Sequence, residues 1–278
     1  MAHRANAQTL NNDFTKMPQT SRLLFRLATL PLLRHMVMLG GRRLRPFGSV
    51  KPTGDELFPS LGMPIVRAHW HAYLKRHQTD IHGRCLEIGT TKTIRRFGGD
   101  RVTKADAIDL TAHSPEVTLL ADLVAANHLE GAQFDCFVNQ FTTHVIHDVT
   151  SALYHSIRLL KPGGVLLVNF ICTTGILARG MDMGTGARLH QYWWFTPLHV
   201  QHLFTSLGLT RQDWDMTGYG NVFSRSAWLM NLPAEFLTRR ELETQDPMHP
   251  IMLCARVVRP LDWSPEKPPC LPVWLPSA

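Results

Sequence analysis

Apolar positions fall along this chain in short runs at Arg84 to Ile88, Ala105 to Leu110, Val117 to Leu120, Phe134 to Val138 and Val165 to Phe170. Helical or turn segments separate them, most clearly Val149 to Leu160. Brief buried strands alternating with helices predict a parallel sheet covered on both faces. Upstream, Pro64 to Arg76 reads as a helix leading into the first strand. Downstream, Pro197 to Leu207 reads as another, followed by strands near Gln212 to Thr217 and Ile251 to Val258 with an insertion between them. No internal repeat is visible.

The two ends read differently. Residues 1–18 are polar and lack the apolar core and cleavage site of a secretory signal. The stretch Ser21 to Leu39 is apolar at a helical period but is interrupted by Arg26, Pro31, Arg34 and His35. A membrane span needs about 20 mostly apolar residues, so no transmembrane segment is expected. A helix packed on the body as a lid, or against a second copy in a homodimer, fits better. The turn-rich GGRRLRPFGSVKP follows, and the tail from Arg259 holds six prolines in twenty residues. The expected organisation is a basic helical extension over 1–58, a wound α/β domain over 59–258 and a proline-rich tail over 259–278.

Composition narrows the class. With 278 residues, 44% hydrophobic and 18% charged, and a mean hydropathy of -0.09, the chain is neither disordered nor a membrane bundle. The formal charge is +7, yet residues 1–50 hold eight basic residues against the single acid Asp13, leaving 21 of each sign downstream. The body is neutral, and no aromatic-interleaved basic stripe accompanies the extension, so nucleic-acid binding is disfavoured. Five cysteines, four of them (Cys85, Cys136, Cys172, Cys254) in apolar runs, read as reduced thiols of a cytoplasmic protein. The histidines of AHWHAYLKRH (68–77) lack a carboxylate partner, and no metal site is expected.

The most informative segment is GRCLEIGTTKT, residues 83–93. A buried strand ends in Glu87, Gly89 removes side-chain bulk at the turn, and Asp109 closes the next strand 20 residues later. In a doubly wound sheet a carboxylate at the second strand's end accepts hydrogen bonds from ribose hydroxyls, which points to a nucleoside ligand. Thr90, Thr91 and Lys92 stand where a dinucleotide fold would place glycines over a pyrophosphate, so NAD is disfavoured. Ala121-Asp122-Leu123 follows the third run, FDCFVNQFTTHVIHD (134–148) is a fourth strand with polar residues beyond its end, and LLKPGGVLLVNF (159–170) carries the fifth.

From about Gly62 to Pro260 the chain resembles class I S-adenosylmethionine-dependent methyltransferases, specifically the small-molecule enzymes of type 11. The resemblance implies a Rossmann-like seven-stranded sheet with one antiparallel edge strand, and S-adenosylmethionine as cofactor. It places Glu87, Gly89 and Thr90 along the methionine and ribose, Asp109 on the ribose, Asp122 with Leu123 at the adenine, and Asn139 and Gln140 beside the sulfonium. Arg67 is a candidate partner for the cofactor carboxylate. The loop departs from the usual E-x-G-x-G-x-G pattern in lacking its later glycines, and Val66, Ala68 and His69 stand where relatives carry acidic and tyrosine residues.

Alkyl transfer from a sulfonium needs mainly orientation, dehydration and sometimes proton removal. Asn139 is a candidate to aim an attacking amine, and His144, with His147 beside it, to take a proton. Tyr192, Trp193 and Trp194 are candidates for a substrate wall, whose rings stabilise a cation through their negative faces, although at least half of such an aromatic cluster is expected to be packing. The leading expectation is a methyltransferase acting on an amine or hydroxyl of a small molecule. Two alternatives were weighed: a cyclase in which the cofactor's own amine attacks its γ-carbon to give azetidine-2-carboxylate and methylthioadenosine, and a non-catalytic cofactor-binding partner.

Overall fold

The computed structural model describes residues 62–174, 181–182, 188–266 and 268. The basic extension with its helix at 21–39, and most of the proline-rich tail, lie outside the described residues. The apolar runs become seven strands: β1 (Gly83–Ile88), β2 (Val102–Asp109), β3 (Val117–Leu120), β4 (Phe134–Asn139), β5 (Leu160–Ile171), β6 (Trp214–Tyr219) and β7 (Met252–Val258). They form one sheet in the order β3-β2-β1-β4-β5-β7-β6. Strands β1 to β5 pair in parallel, while β7 runs antiparallel to both β5 and β6. The single antiparallel strand is thus the expected one, set one place in from the edge that β6 occupies.

Among the described residues six helices accompany the sheet: α1 (Ile65–Arg76), α2 (Lys92–Gly98), α3 (Val149–Leu159), α4 (Pro197–Ser206), α5 (Val222–Leu229) and α6 (Arg239–Glu243). Because side chains alternate along a strand, each strand feeds two cores. Leu86, Phe137, Val168 and Phe170 join Leu153 of α3 and Phe204 of α4 on one face. Cys85, Cys136, Val138 and Leu167 join Trp70 and Tyr73 of α1, Ile94 of α2 and Trp228 of α5 on the other. Each fully buried large apolar side chain contributes roughly 1.5–3 kcal/mol. The continuous apolar character of β4 and β5 follows from this double burial.

Local chemistry sets the boundaries. Asp148 caps α3 by accepting from Ser151 N–H, and Thr196 caps α4 with Pro197 in its first turn. Strand β5 begins at Leu160, five residues earlier than its apolar run, because Leu160 pairs with Phe134 before the register shifts. Asp80, just before β1, makes a bidentate ion pair with Arg256 of β7, at 2.9 and 2.8 Å. The first residues of the tail do not merely lie on the surface: Trp263 is buried in the α3/α4 core and its indole N–H donates to Leu207 C=O at 2.9 Å. No helix among the described residues is long and apolar enough to cross a membrane.

The insertion between β6 and β7 holds α5 and α6. Asn221 caps α5 by accepting from Phe223 and Ser224 N–H, and donates to Glu241 and Thr244 C=O at 2.7 Å. It therefore fastens both helices at once. Replacing Asn221 with Ala is expected to lower stability by about 2–3 kcal/mol, through the lost cap and two unsatisfied carbonyls. Chemical denaturation with an unchanged slope checks this.

Candidate active site

The strand order reverses between β1 and β4, and the crevice of a wound sheet forms at the carboxyl ends of such strands. Glu87 sits there with no exposed surface. Its Oε2 accepts from Thr93 N–H at 2.9 Å and Ile94 N–H at 3.0 Å at the start of α2, and its Oε1 accepts from Gln140 Nε2 at 2.7 Å. Gln140 Nε2 also donates to Thr93 Oγ1 at 2.9 Å, while Gln140 Oε1 accepts the indole N–H of Trp70 on α1 at 2.8 Å. Burial pushes the Glu87 carboxyl up to about 7 against these hydrogen bonds.

The expectations for three of these residues change accordingly. Glu87 does not line the crevice directly; it lies beneath it and caps α2. The amide of Gln140 is committed to Trp70, Glu87 and Thr93. Asn139, 1% exposed, shares the face of Phe137 by strand alternation, so its amide turns to α3. It donates to Ser156 Oγ at 3.4 Å, and its Oδ1 accepts from Thr142 Oγ1. That is the face of the sheet opposite Glu87. The asparagine on the Glu87 face is Asn169, fully buried, whose Oδ1 accepts Phe141 N–H at 2.8 Å and whose Nδ2 has no partner among the described residues.

Gly89 and Asp109 lie side by side at the ends of β1 and β2. Gly89 adopts φ +73°, and a Cβ there would stand 3.2 Å from Asp109 Oδ2; a side chain would be strained as well as crowded. Asp109 is partly exposed and accepts Leu110 N–H at 2.6 Å. Asp122 is exposed beyond β3, with its Oδ1 accepting Val124 N–H at 2.9 Å, but Leu123 packs into the core rather than facing outward. Thr90 donates its hydroxyl to Glu116 at 2.8 Å. Arg67 lies over the Phe141 ring, 5.0 Å from its centroid, and makes no ion pair among the described residues. Burial lowers its pKa, and the charge of Glu87 opposes that shift. Phe141 itself has φ +56°, a conformation that costs a bulky residue about 1–3 kcal/mol and is characteristic of functional turns.

The aromatic run divides between packed and exposed rings. Tyr192 N–H and Trp193 N–H both donate to His144 C=O, at 2.9 and 3.2 Å, so this segment is fixed to the turn after β4. The Tyr192 ring stands 6.0 Å from His147. Trp193 is packing: its indole N–H donates to Ile146 C=O at 2.9 Å. Trp194 is 49% exposed. Burial pushes His144 down to about 4, leaving a neutral imidazole whose Nδ1 has no partner among the described residues. No cluster of His, Cys, Asp or Glu among the described residues is placed to hold a metal ion.

Residues 87–168 match the family model described as methyltransferase domain. The matched segment runs from Glu87 of β1 to Val168 of β5, the parallel part of the sheet. Solved structures similar to this chain include a complex of DhpI with SAH (17% identity, 71% of this chain and 86% of that chain, TM-score 0.43). An S-adenosylmethionine-dependent methyltransferase from Archaeoglobus fulgidus is also similar (11% identity, 69% and 94%, TM-score 0.44), as is the YcgJ protein from Bacillus subtilis (14%, 69% and 99%, TM-score 0.41). No curated protein matches the sequence.

The buried imidazoles give the fold a defined pH response. His69 and His144 are each held at about 4, from an ordinary 6.5, by burial, and half-buried His71 is lowered by burial and by Arg96 and Arg67. Their contribution is present above pH 6.5 and is lost as pH falls towards 4, because the unfolded chain then binds more protons. Glu87 opposes this: its contribution is present below its ordinary value and is lost as pH rises to about 7. These three histidines therefore act to lower stability on acidification. His69→Phe is expected to shrink the difference in melting temperature between neutral and acid buffer by about 4 °C, measured by thermal unfolding.

Proposed function

We propose that this chain is a class I S-adenosylmethionine-dependent methyltransferase acting on a small molecule, with an amine or hydroxyl as nucleophile, and that its donor lies across the carboxyl ends of β1, β2 and β3. The observation that carries the reading is the left-handed Gly89, held against the Asp109 carboxylate at the point where strand order reverses. A bare Cα beside a strand-end acid is a cradle for a ribose, and the half-buried Arg67 is a cation without an ion-pair partner among the described residues. These groups fit an adenosyl amino acid.

When bound, S-adenosylmethionine supplies a methyl carbon already activated by its sulfonium. Arg67 would hold the amino-acid carboxylate, the backbone at Gly89 and Thr90 would border the methionine and ribose, Asp109 would accept from the ribose hydroxyls, and Asp122 would accept from the adenine amine. Glu87, beneath the turn and raised to about 7 by burial, would be drawn to its ionised form by the donor's ammonium and sulfonium groups. On the acceptor side, His144 is neutral at pH 7, so it orients a neutral N–H or O–H as an acceptor rather than acting as a strong base. Tyr192, tied to His144 C=O, would border the acceptor and exclude water.

Neither alternative reading has support. Of the features compatible with cyclisation, the helix at 21–39 lies outside the described residues and Asn139 faces α3. Mass spectrometry of the nucleoside product distinguishes the chemistries, since methyl transfer gives S-adenosylhomocysteine and cyclisation gives methylthioadenosine from the cofactor alone. In calorimetry with S-adenosylhomocysteine, Asp109→Ala and Arg67→Ala are each expected to weaken binding about tenfold or more, the loss of a charge-assisted hydrogen bond. Asn139→Ala is expected to stay within about twofold of the wild type. Undiminished binding by Asp109→Ala contradicts the proposed orientation.

A further inference from the structure

The turn after β1 lacks the second and third glycines of the E-x-G-x-G-x-G pattern, and Thr91 and Thr93 stand in their places. Both threonines are buried, at 3% and 8% exposure, and their hydroxyls are drawn into the fold. Thr93 Oγ1 accepts from Gln140, and Thr91 Oγ1 accepts from Arg95 Nε at 3.1 Å. The remaining contacts of the turn converge on one carboxylate from another loop. Glu116, in the turn before β3, accepts at Oε2 from Thr90 Oγ1 at 2.8 Å, Thr91 N–H at 2.9 Å and Thr91 Oγ1 at 3.4 Å.

A glycine-rich turn lets its backbone approach a ligand because nothing projects from it. A threonine in the same place obstructs unless its side chain is pulled away and held. Glu116 does this for the part of the turn that Gln140 does not reach, and its contacts also fix the turn against the β2–β3 loop, beside Gly89 and Asp109. The Thr91 and Thr90 hydrogen bonds hold the Glu116 carboxyl below the ordinary range, so the clamp is charged at neutral pH. Hydrogen bonds to an ionised acceptor are roughly twice as strong as neutral ones.

We infer that Glu116 is a positioning residue for the amino-acid end of the bound cofactor, holding Thr90 and Thr91 so that this turn serves in place of a glycine-rich one. The inference rests on the cofactor placement proposed above. The test uses calorimetry of the full chain with two probes, S-adenosylhomocysteine and methylthioadenosine, the second lacking the amino-acid group. Glu116→Ala and Thr90→Val are expected to bind S-adenosylhomocysteine about tenfold more weakly, with methylthioadenosine within about twofold of wild type. Glu116→Gln, which keeps an acceptor oxygen, is expected to recover most of the loss. Wild-type affinity in Glu116→Ala overturns the inference, and so does an equal loss for both probes, which would make the residue merely structural. Failure of the wild type to bind S-adenosylhomocysteine overturns the cofactor placement itself, and the inference with it.

Discussion

The hydrogen-bonded relay from Trp70 through Gln140 to Glu87 joins α1, the end of β4, the end of β1 and the start of α2. Its direction is fixed by chemistry. An indole N–H can only donate, so the oxygen of Gln140 must face Trp70 and its NH2 must face Glu87. Glu87 then meets donors on both carboxylate oxygens, which favours its ionised form in a site where burial disfavours charge. An ionised carboxylate without these donors would be strongly destabilising there. The relay therefore holds a carboxyl that burial raises to about 7 under the turn that follows β1, and sets the position of that turn.

The rest of the site is arranged on that base. The strand order reverses between β1 and β4, Gly89 stands bare against the Asp109 carboxylate, and Arg67 lies over the Phe141 ring. Strain is kept at the turn after β4. Phe141 is held left-handed by the Asn169 carboxamide and packed against Arg67 and Trp70, 6.4 Å from the latter ring. Thr143 Oγ1 donates to Asn169 C=O at 2.8 Å, so one residue of β5 holds both sides of that strained position. The same turn carries His144 and, through it, Tyr192.

Much of this was legible in the chain. Strand ends are visible in a sequence, and Glu87, Gly89 and Asp109 were found because each closes an apolar run. What the sequence hid was direction. In FDCFVN both faces of β4 are apolar, so no alternation told which side Asn139 would take, and Asn169 on the next strand was passed over for the same reason. Long-range partners were hidden too. Gln140 needs Trp70, which lies 70 residues away, and Glu116 stands in an ordinary Ser-Pro-Glu turn with no spacing rule to link it to Thr90. Phe141 offered one local signal, a large aromatic residue set immediately past the polar end of a strand.

The most direct measurement is the titration of the Glu87 carboxyl carbon by NMR in the wild type and in Gln140→Leu. The relay predicts a carboxyl that titrates near about 7 and moves higher when Gln140 no longer donates to its ionised form. A carboxyl titrating in the ordinary range for glutamate, and unmoved by the substitution, would contradict the account.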